Sequence, residues 1–284
     1  MAENIITSRK HILIKQAVSI INSSAKREEL GLFMAEGARI CEDAVNSKTE
    51  ILYFFYTENA YKKYKKYIDK CIEVSNEVYI ISESVSQVLA DTKNPQGVFA
   101  LCKIKENQEK IDGKVLVLEK VQDPTNVGTV FRTAEALGIE TIIMLGDCCD
   151  VYSPKVIRST MGAIFRVNVM KIQELEILLS KLKKLKYECF AAVVNEMARK
   201  VNTISFTQKT AVFIGNEGNG LTNECISKMQ NITIPMRGNA ESLNASVAAS
   251  IIMWELLRDV WWKSLLAMVT ARIWCREHKT DKCI

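Results

Sequence analysis

Residues 213–221 read FIGNEGNGL, an apolar strand stub that breaks into three glycines, two asparagines and one glutamate. Glycine-rich turns after strands often cradle phosphates, because their backbone N–H groups approach an anion closely. The spacing here opposes that use. A dinucleotide fingerprint is GxGxxG after the first strand of a βαβ unit, whereas Gly215, Gly218 and Gly220 give GxxGxG after a late strand. A Walker loop continues into GK[ST]; here Leu221 follows Gly220. A tight turn without a ligand accounts for the glycines. It does not account for Glu217 at the crest, or for a second polar stretch, IPMRGNAESLNAS, at residues 234–246.

Around these stretches strand and helix signals alternate. KVLVLEKV (114–121), ETIIML (140–145), FRVNVMKI (165–172), ECFAAVV (188–194), TAVFIG (210–215) and NITIPM (231–236) read as strands. TNVGTVFRTAEALG (125–138) reads as a helix with Val127, Val130, Phe131, Ala134 and Leu137 on one side, closed by Gly138. SPKVIRSTMGAI (153–164) opens with Ser153 as cap and Pro154 at the first helical position. ELEILLSKLKKLKY (174–187) and ESLNASVAASIIMWELL (241–257) are further helices. This alternation predicts an α/β fold, a parallel sheet flanked by helices. Such sheets place ligands at the carboxyl ends of their strands. Polar residues cluster at three of those ends: 126–132, 215–220 and 235–244.

The charged segment CKIKENQEKIDGK (102–114) reads as an interdomain linker. It sets a boundary near residue 108, with an accessory domain over 1–107 and the main domain over 108–258. In the first part, EILYFFYT and EVYIIS read as strands, AYKKYKKYIDKC as a helix, and NPQGVFALCKI as a turn into a strand. The result is a smaller α/β domain. It carries 15 Lys and Arg up to residue 107 against 14 Asp and Glu, so net charge gives it no RNA-binding footprint. The KKYKK run reads as a solvated helix face in preference to a nucleic-acid patch.

The 284 residues are 48% apolar and 25% charged, the balance of a soluble globular protein. No apolar run approaches a membrane span, and the N-terminus has no signal-peptide pattern, which points to the cytoplasm. Nine cysteines show no framework spacing and read as reduced thiols. Only His11 and His278 are present, which removes most of the material for His-rich metal sites and Ser–His–Asp catalysis. No metal is expected. A net charge of +5 hints mildly at a polyanionic partner.

The three polar strand ends resemble the motifs of the SpoU family of RNA ribose 2′-O-methyltransferases, part of the knotted SPOUT superfamily. They stand here as NVGTVFRTA (126–134), FIGNEGNGL (213–221) and IPMRGNAESLNASVA (234–248), in family order and spacing. SPKVIRSTMGAIFRV looks like the family's linking helix. FMAEGARICEDA and NPQGVFAL resemble more weakly its accessory RNA-binding domain.

The resemblance implies an S-adenosyl-L-methionine cofactor, a C-terminal trefoil knot, an RNA substrate and a homodimer. It implies cofactor binding at Gly215, Ile234, Met236 and Leu243, and catalytic roles for Arg132, Asn126, Glu217, Ser242 and Asn244. The family's candidate for removing the hydroxyl proton matches Arg132. A guanidinium stays protonated, so the reading preferred here is that Arg132 grips phosphate and stabilises developing alkoxide charge. Asn126, Ser242 and Asn244 would orient the ribose and the arginine, and Glu217 would hold loop or arginine geometry. Each has a plainer reading: Asn126 as a helix cap, Arg132 as a solvated residue, Ser242 and Asn244 as partners of buried backbone.

Ribosomal RNA of the 23S type is the substrate the resemblance favours. The alternatives are a tRNA 2′-O-methyltransferase and a non-catalytic RNA-binding protein; a dehydrogenase is opposed by the missing early GxGxxG. The pattern breaks after Glu255. Residues 259–284 form an atypical C-terminal extension, and all four tryptophans (254, 261, 262 and 274) fall in the last 31 residues. Cys275, His278 and Cys283 make only a weak metal trio.

Overall fold

The computed structural model describes residues 5–105 and 110–258. The expected boundary near residue 108 and the 259–284 extension, with its Cys275, His278 and Cys283, lie outside the described residues. The first part runs β1 (Ile5–Ile6), α1 (Ile12–Asn22), α2 (Ser24–Leu30), β2 (Leu32–Glu36), α3 (Ala38–Asn46), β3 (Ile51–Tyr56), α4 (Glu58–Val74), β4 (Glu77–Ile81), α5 (Glu83–Leu89) and β5 (Val98–Lys103). Its sheet has the order β1-β4-β3-β5-β2, with β5 antiparallel to both β2 and β3 and the other pairs parallel.

The second part runs β6 (Val115–Glu119), α6 (Pro124–Leu137), β7 (Thr141–Leu145), α7 (Pro154–Thr160), β8 (Asn168–Ile172), α8 (Leu175–Lys184), β9 (Glu188–Ala192), β10 (Arg199–Lys200), β11 (Thr210–Ile214), α9 (Asn223–Lys228) and β12 (Gln230–Thr233). A last helix covers residues 245–258. The sheet order is β10-β12-β9-β11-β6-β7-β8, and every pair in it is parallel. The physical cause is visible in the strands. VLVLE, TIIML and TAVFI are buried along their whole length, as strands covered on both faces must be. No helix among the described residues is long and apolar enough to cross a membrane.

The two sheets share one hydrophobic core. Phe33, Ala35, Cys41 and Phe54 of the first part pack in the same cluster as Leu116, Val127, Phe131 and Val156 of the second. The Phe33 ring lies 5.0 Å from Tyr152 and 6.0 Å from Phe165, centroid to centroid. A buried ion pair crosses the same junction. Arg27 Nε donates to Asp150 Oδ2 at 2.7 Å, and its Nη1 donates to the carbonyls of Ile20 and Ile21. Those carbonyls end α1, so one guanidinium closes a helix and bridges the two parts.

Several local readings are refined by the structure. β12 stops at Thr233, which leaves Ile234–Met236 as loop. β8 starts at Asn168, because Ala163–Phe165 turn as a short 3₁₀ segment. Ser153 stands at the N-cap position of α7, but its side chain makes no capping bond. Tyr61, Tyr64 and Tyr67 of α4 pack on the core, while Lys62, Lys63, Lys65 and Lys66 face outward. The short elements β10 and α9 carry no periodicity long enough to be seen in sequence.

Helices α6 and α7 meet at Gly128. A Cβ built there would fall 2.2 Å from Ser159 Cβ and 2.9 Å from the Ser159 carbonyl carbon. Gly128→Ala should therefore force the helices apart and cost about 1–3 kcal/mol. Gly218→Ala, whose Cβ would meet nothing closer than Asn216 Oδ1 at 3.5 Å, should change stability by less than about 0.5 kcal/mol. Urea denaturation of the two variants checks the contrast; equal midpoints would refute the close helix contact.

Candidate active site

Three loops converge at the carboxyl ends of β6, β11 and β12. The first is the start of α6. Asp123 caps it, accepting N–H bonds from Thr125 at 2.6 Å and Asn126 at 3.2 Å. Those backbone donors, Thr125 first, hold the Asp123 carboxyl below the usual range. Asn126 is thus freed from the capping role, and its side chain is buried.

The second loop follows β11. Gly215 approaches Gly220 so closely that a Cβ on it would lie 2.1 Å from the Gly220 carbonyl carbon and the Leu221 nitrogen. Asn216 and Gly220 exchange backbone bonds at 3.1 and 2.9 Å. Asn216 Oδ1 accepts from the N–H of Gly218 and Asn219, and its Nδ2 donates to the Lys120 carbonyl at 2.8 Å. The loop is therefore tied to itself and to the end of β6, with Glu217 at its crest. Behind it, the buried carboxylate of Glu119 accepts from Thr222 N at 2.8 Å, Thr222 Oγ1 at 2.7 Å and Cys225 Sγ at 3.2 Å.

The third loop leads from β12 to the 245–258 helix. Asn244 caps that helix, its Oδ1 accepting from Ser246 N at 2.9 Å, Ser246 Oγ at 2.7 Å and Val247 N at 3.3 Å.

One asparagine joins the three. Asn126 Nδ2 donates to Glu217 Oε1 at 2.9 Å, and Asn126 Oδ1 accepts from Asn244 Nδ2 at 3.0 Å. Asp123 N also points to Glu217 Oε1, at 3.4 Å. The structure thus brings Asn126, Glu217 and Asn244 into one chain of bonds. It does not bring Arg132 or Ser242 into it. Both are exposed. Arg132 lines a cleft of about 580 Å³ between the two parts, with Glu36, Arg39, Arg158 and Met161 among the walls. Of the four residues expected at a cofactor, Gly215 is buried, and Ile234, Met236 and Leu243 are half-buried; Ile234 packs on the core.

Sequence reasoning missed Asp123, Glu119 and Asn216, whose hydrogen bonds hold the loops. An Asp-Pro pair before the helix and a glutamate ending an apolar strand were the available signals. Cys149 lies near Glu217 and Asp123, but burial pushes its thiol up to about 12, so it is a neutral side chain and a poor nucleophile.

Residues 113–254 match the model of the SpoU rRNA Methylase family, and residues 13–100 match that of the MRM3-like substrate binding domain. An uncharacterised tRNA/rRNA methyltransferase of Synechocystis is 30% identical over 260 residues, covering 90% of this chain and 94% of that protein. The 23S rRNA guanosine 2′-O-methyltransferase RlmP of Bacillus subtilis is 28% identical over 237 residues, covering 83% and 92%. Among solved structures, an rRNA methyltransferase from Sinorhizobium meliloti with AdoMet bound superposes with a TM-score of 0.78 at 25% identity, covering 90% of this chain and 98% of that one.

Asn126→Ala removes both bonds of the chain at once and leaves the exposed Glu217 and Asn244 side chains to water. It should cost about 0.5–1.5 kcal/mol, whereas Ser242→Ala, outside the chain of bonds, should leave the urea midpoint unchanged. Equal midpoints for Asn126→Ala and wild type would show that the three loops are held by other means.

Proposed function

This chain belongs to the SpoU rRNA methylase family, and from that membership we propose that it transfers a methyl group from S-adenosyl-L-methionine to a ribose 2′-hydroxyl of structured RNA. The favoured RNA is ribosomal, of the 23S type, and the favoured compartment is the cytoplasm. The observation that carries the reading is the bonding of Asn126 to both Glu217 and Asn244, which unites the three motifs at one edge of a parallel sheet. The similarity to the Bacillus enzyme supports the substrate. The AdoMet-bound neighbour supports the cofactor.

The residues present fit that cofactor. Among the described residues, no backbone group from 235 to 243 bonds to other backbone. Half-buried Ile234 precedes this stretch, and half-buried Met236 and Leu243 lie within it. Free peptide groups beside partly covered apolar side chains suit a flat heteroaromatic base, whose edge takes hydrogen bonds and whose faces take apolar contact.

When bound, S-adenosyl-L-methionine supplies a methyl already activated on a positively charged sulfur. What falls to the protein is to hold the ribose hydroxyl in line and to manage its proton. A role for Glu217 in this is supported by its Oε1 bonds, which leave Oε2 without a hydrogen-bond partner among the described residues. The charge of Arg132 serves to grip an RNA phosphate and to stabilise the oxygen as it becomes anionic. In this reading Ser242, which is exposed, orients the ribose.

The same reading includes a knotted chain and a homodimer. The close approach of Gly215 to Gly220 and the bond from Lys114 Nζ to the Leu256 carbonyl support a tightly threaded domain. On the 245–258 helix, Ala249, Ile252, Met253 and Leu256 are buried, while Val247 and Trp254 are 46% and 54% exposed. That outward apolar area supports a self-complementary interface.

Two measurements bear on this. Methyl transfer from labelled cofactor into 23S rRNA transcripts should be abolished by Arg132→Ala, with cofactor affinity by calorimetry within a few fold of wild type. Arg132→Lys should also fail, since lysine lacks the planar fork. Wild-type turnover by Arg132→Ala removes that residue from the mechanism, and methylation of tRNA alone redirects the substrate. Light scattering at low micromolar protein should give a dimer mass, as expected of an interface burying at least about 1,000 Å². A fully active monomer refutes the dimer.

A further inference from the structure

The cleft between the two parts holds charge that the residues so far assigned do not use. Its walls come from both parts: Glu36, Arg39 and Asp43 from the first, Arg132, Glu135 and Arg158 from the second. The acids there are already engaged. Glu36 accepts from Asp91 N at 2.9 Å and from Thr92 Oγ1, and Arg158 Nη1 lies 4.0 Å from it. Arg158 Nη1 also meets Asp91 at 2.5 Å. Arg166 bridges the remaining two, with Nε 2.8 Å from Glu135 and Nη1 3.7 Å from Asp43.

Two guanidiniums are left over. Arg39 and Arg132 are both exposed, and no hydrogen bond or close ion pair engages either among the described residues, though the Arg39 charge acts on Asp43. They stand on different parts of the chain yet line the same cleft. Each carries five donors in a planar fork that matches phosphate.

The wall around Arg39 is built rather than incidental. Glu36 fixes the 91–92 backbone, and Gln96 Oε1 accepts the N–H of Ala38 at 2.9 Å, so the 91–97 loop and the start of α3 are locked together. Gly97 is packed against Thr57, where a Cβ would fall 2.7 Å from Oγ1. Arg39 therefore projects from a fixed helix start. On another wall, Met161 is 50% exposed and sits in left-handed backbone (φ 51°), laying an apolar side chain along the cleft. The volume of about 580 Å³ lies within the range of about 300–1,000 Å³ seen for ligand pockets.

We propose that this cleft seats the RNA strand beside the methylated ribose, with Arg39 of the accessory domain as a second phosphate-binding residue that acts across the cleft from Arg132. The inference rests on the RNA-methylating function given above. Arg132 takes the phosphate at the target nucleotide, Arg39 takes the neighbouring one, and Met161 offers an apolar face to a base. The accessory domain in this way contributes to the strand's alignment, and not only to its capture from solution.

The test uses the full chain and a fluorescent single-stranded octaribonucleotide of mixed sequence, bound over a series of salt concentrations. Arg39→Ala should weaken binding about tenfold at low salt. It should also flatten the plot of log affinity against log salt by about 0.7, the loss of one phosphate contact on a single strand. Arg39→Lys keeps the charge and should keep the wild-type slope while losing part of the affinity. Cofactor affinity by calorimetry should be unchanged in both.

An unchanged salt slope in Arg39→Ala overturns the inference, even where overall affinity falls. So does equal loss of slope in Arg39→Lys, which would mark the position as structural. The two readings fail separately. Cofactor binding and methyl transfer by wild type, with Arg39→Ala indistinguishable from it, sinks only the role of Arg39. A wild type that binds neither cofactor nor the octamer removes both.

Discussion

Asn126 has two polar atoms on its side chain, and each holds a different loop. Nδ2 donates to Glu217 across 91 residues of sequence, and Oδ1 accepts from Asn244 across 118. A side-chain amide offers a donor and an acceptor in one fixed plane. An aspartate there would face the Glu217 carboxylate with like charge, and an apolar residue would leave both partners unmatched. Asn126 is buried while Glu217 and Asn244 are exposed, so losing a bond leaves the Asn126 amide, and not its partners, without a substitute. Its placement depends in turn on Asp123, which takes over the capping of α6. The sheet supplies the frame: fully buried β6 and β11 lie side by side, so the loops at their ends start from adjacent, rigid positions.

A second constraint fixes where substrate can lie. The two parts do not merely touch; Phe33, Tyr152 and Phe165 pack together, and Arg27 is buried against Asp150. A buried pair of this kind adds little net stability against an apolar substitute, but breaking it by removing one partner costs about 3–5 kcal/mol. Its effect is geometric. With the junction closed on one side by this pair and on another by Arg166, the cleft beside Arg132 keeps its width. Residues from both parts then face the same cleft from fixed positions.

Most of the main domain was legible because its strands are continuous apolar runs and its helices are long enough to show a period. VLVLE, TIIML and TAVFI leave no doubt about burial, and Gly138 ends α6 in left-handed backbone (φ 84°) as its position in the sequence suggested. The joining of Asn126, Glu217 and Asn244 was not derivable from residue patterns alone, since no local rule connects positions so far apart. The motifs named the residues; the hydrogen bonds came only with coordinates. Arg132 shows the converse. It belongs to the same short motif as Asn126 yet lies on a different side of α6, facing the accessory domain and not the three loops. A helix turns about 100° per residue, so six residues separate the two functions by roughly a third of a circle. The accessory cleft was illegible because Arg39 and Glu36 look like ordinary surface charges until their partners, or lack of them, are counted.

The two loops beside the expected cofactor differ in how they are held, and the difference has a consequence for binding. Residues 216–220 close on themselves through the Asn216–Gly220 bonds and the Asn216 side chain. Their conformation is set before any ligand arrives. Residues 235–243, in contrast, bond to no other backbone among the described residues, and only the cap at Asn244 ties their far end. A ligand that bonds these peptide groups breaks no backbone hydrogen bond made among the described residues. Its gain is reduced only by the entropy of fixing a few residues, about 1–2 kcal/mol each. The first loop is therefore held by its own hydrogen bonds, and the second by its cap at Asn244. Asn244 stands at the junction of the open loop and the last helix, with its amide on Asn126. The end of the 235–243 loop is thereby tied to the same side chain that holds Glu217.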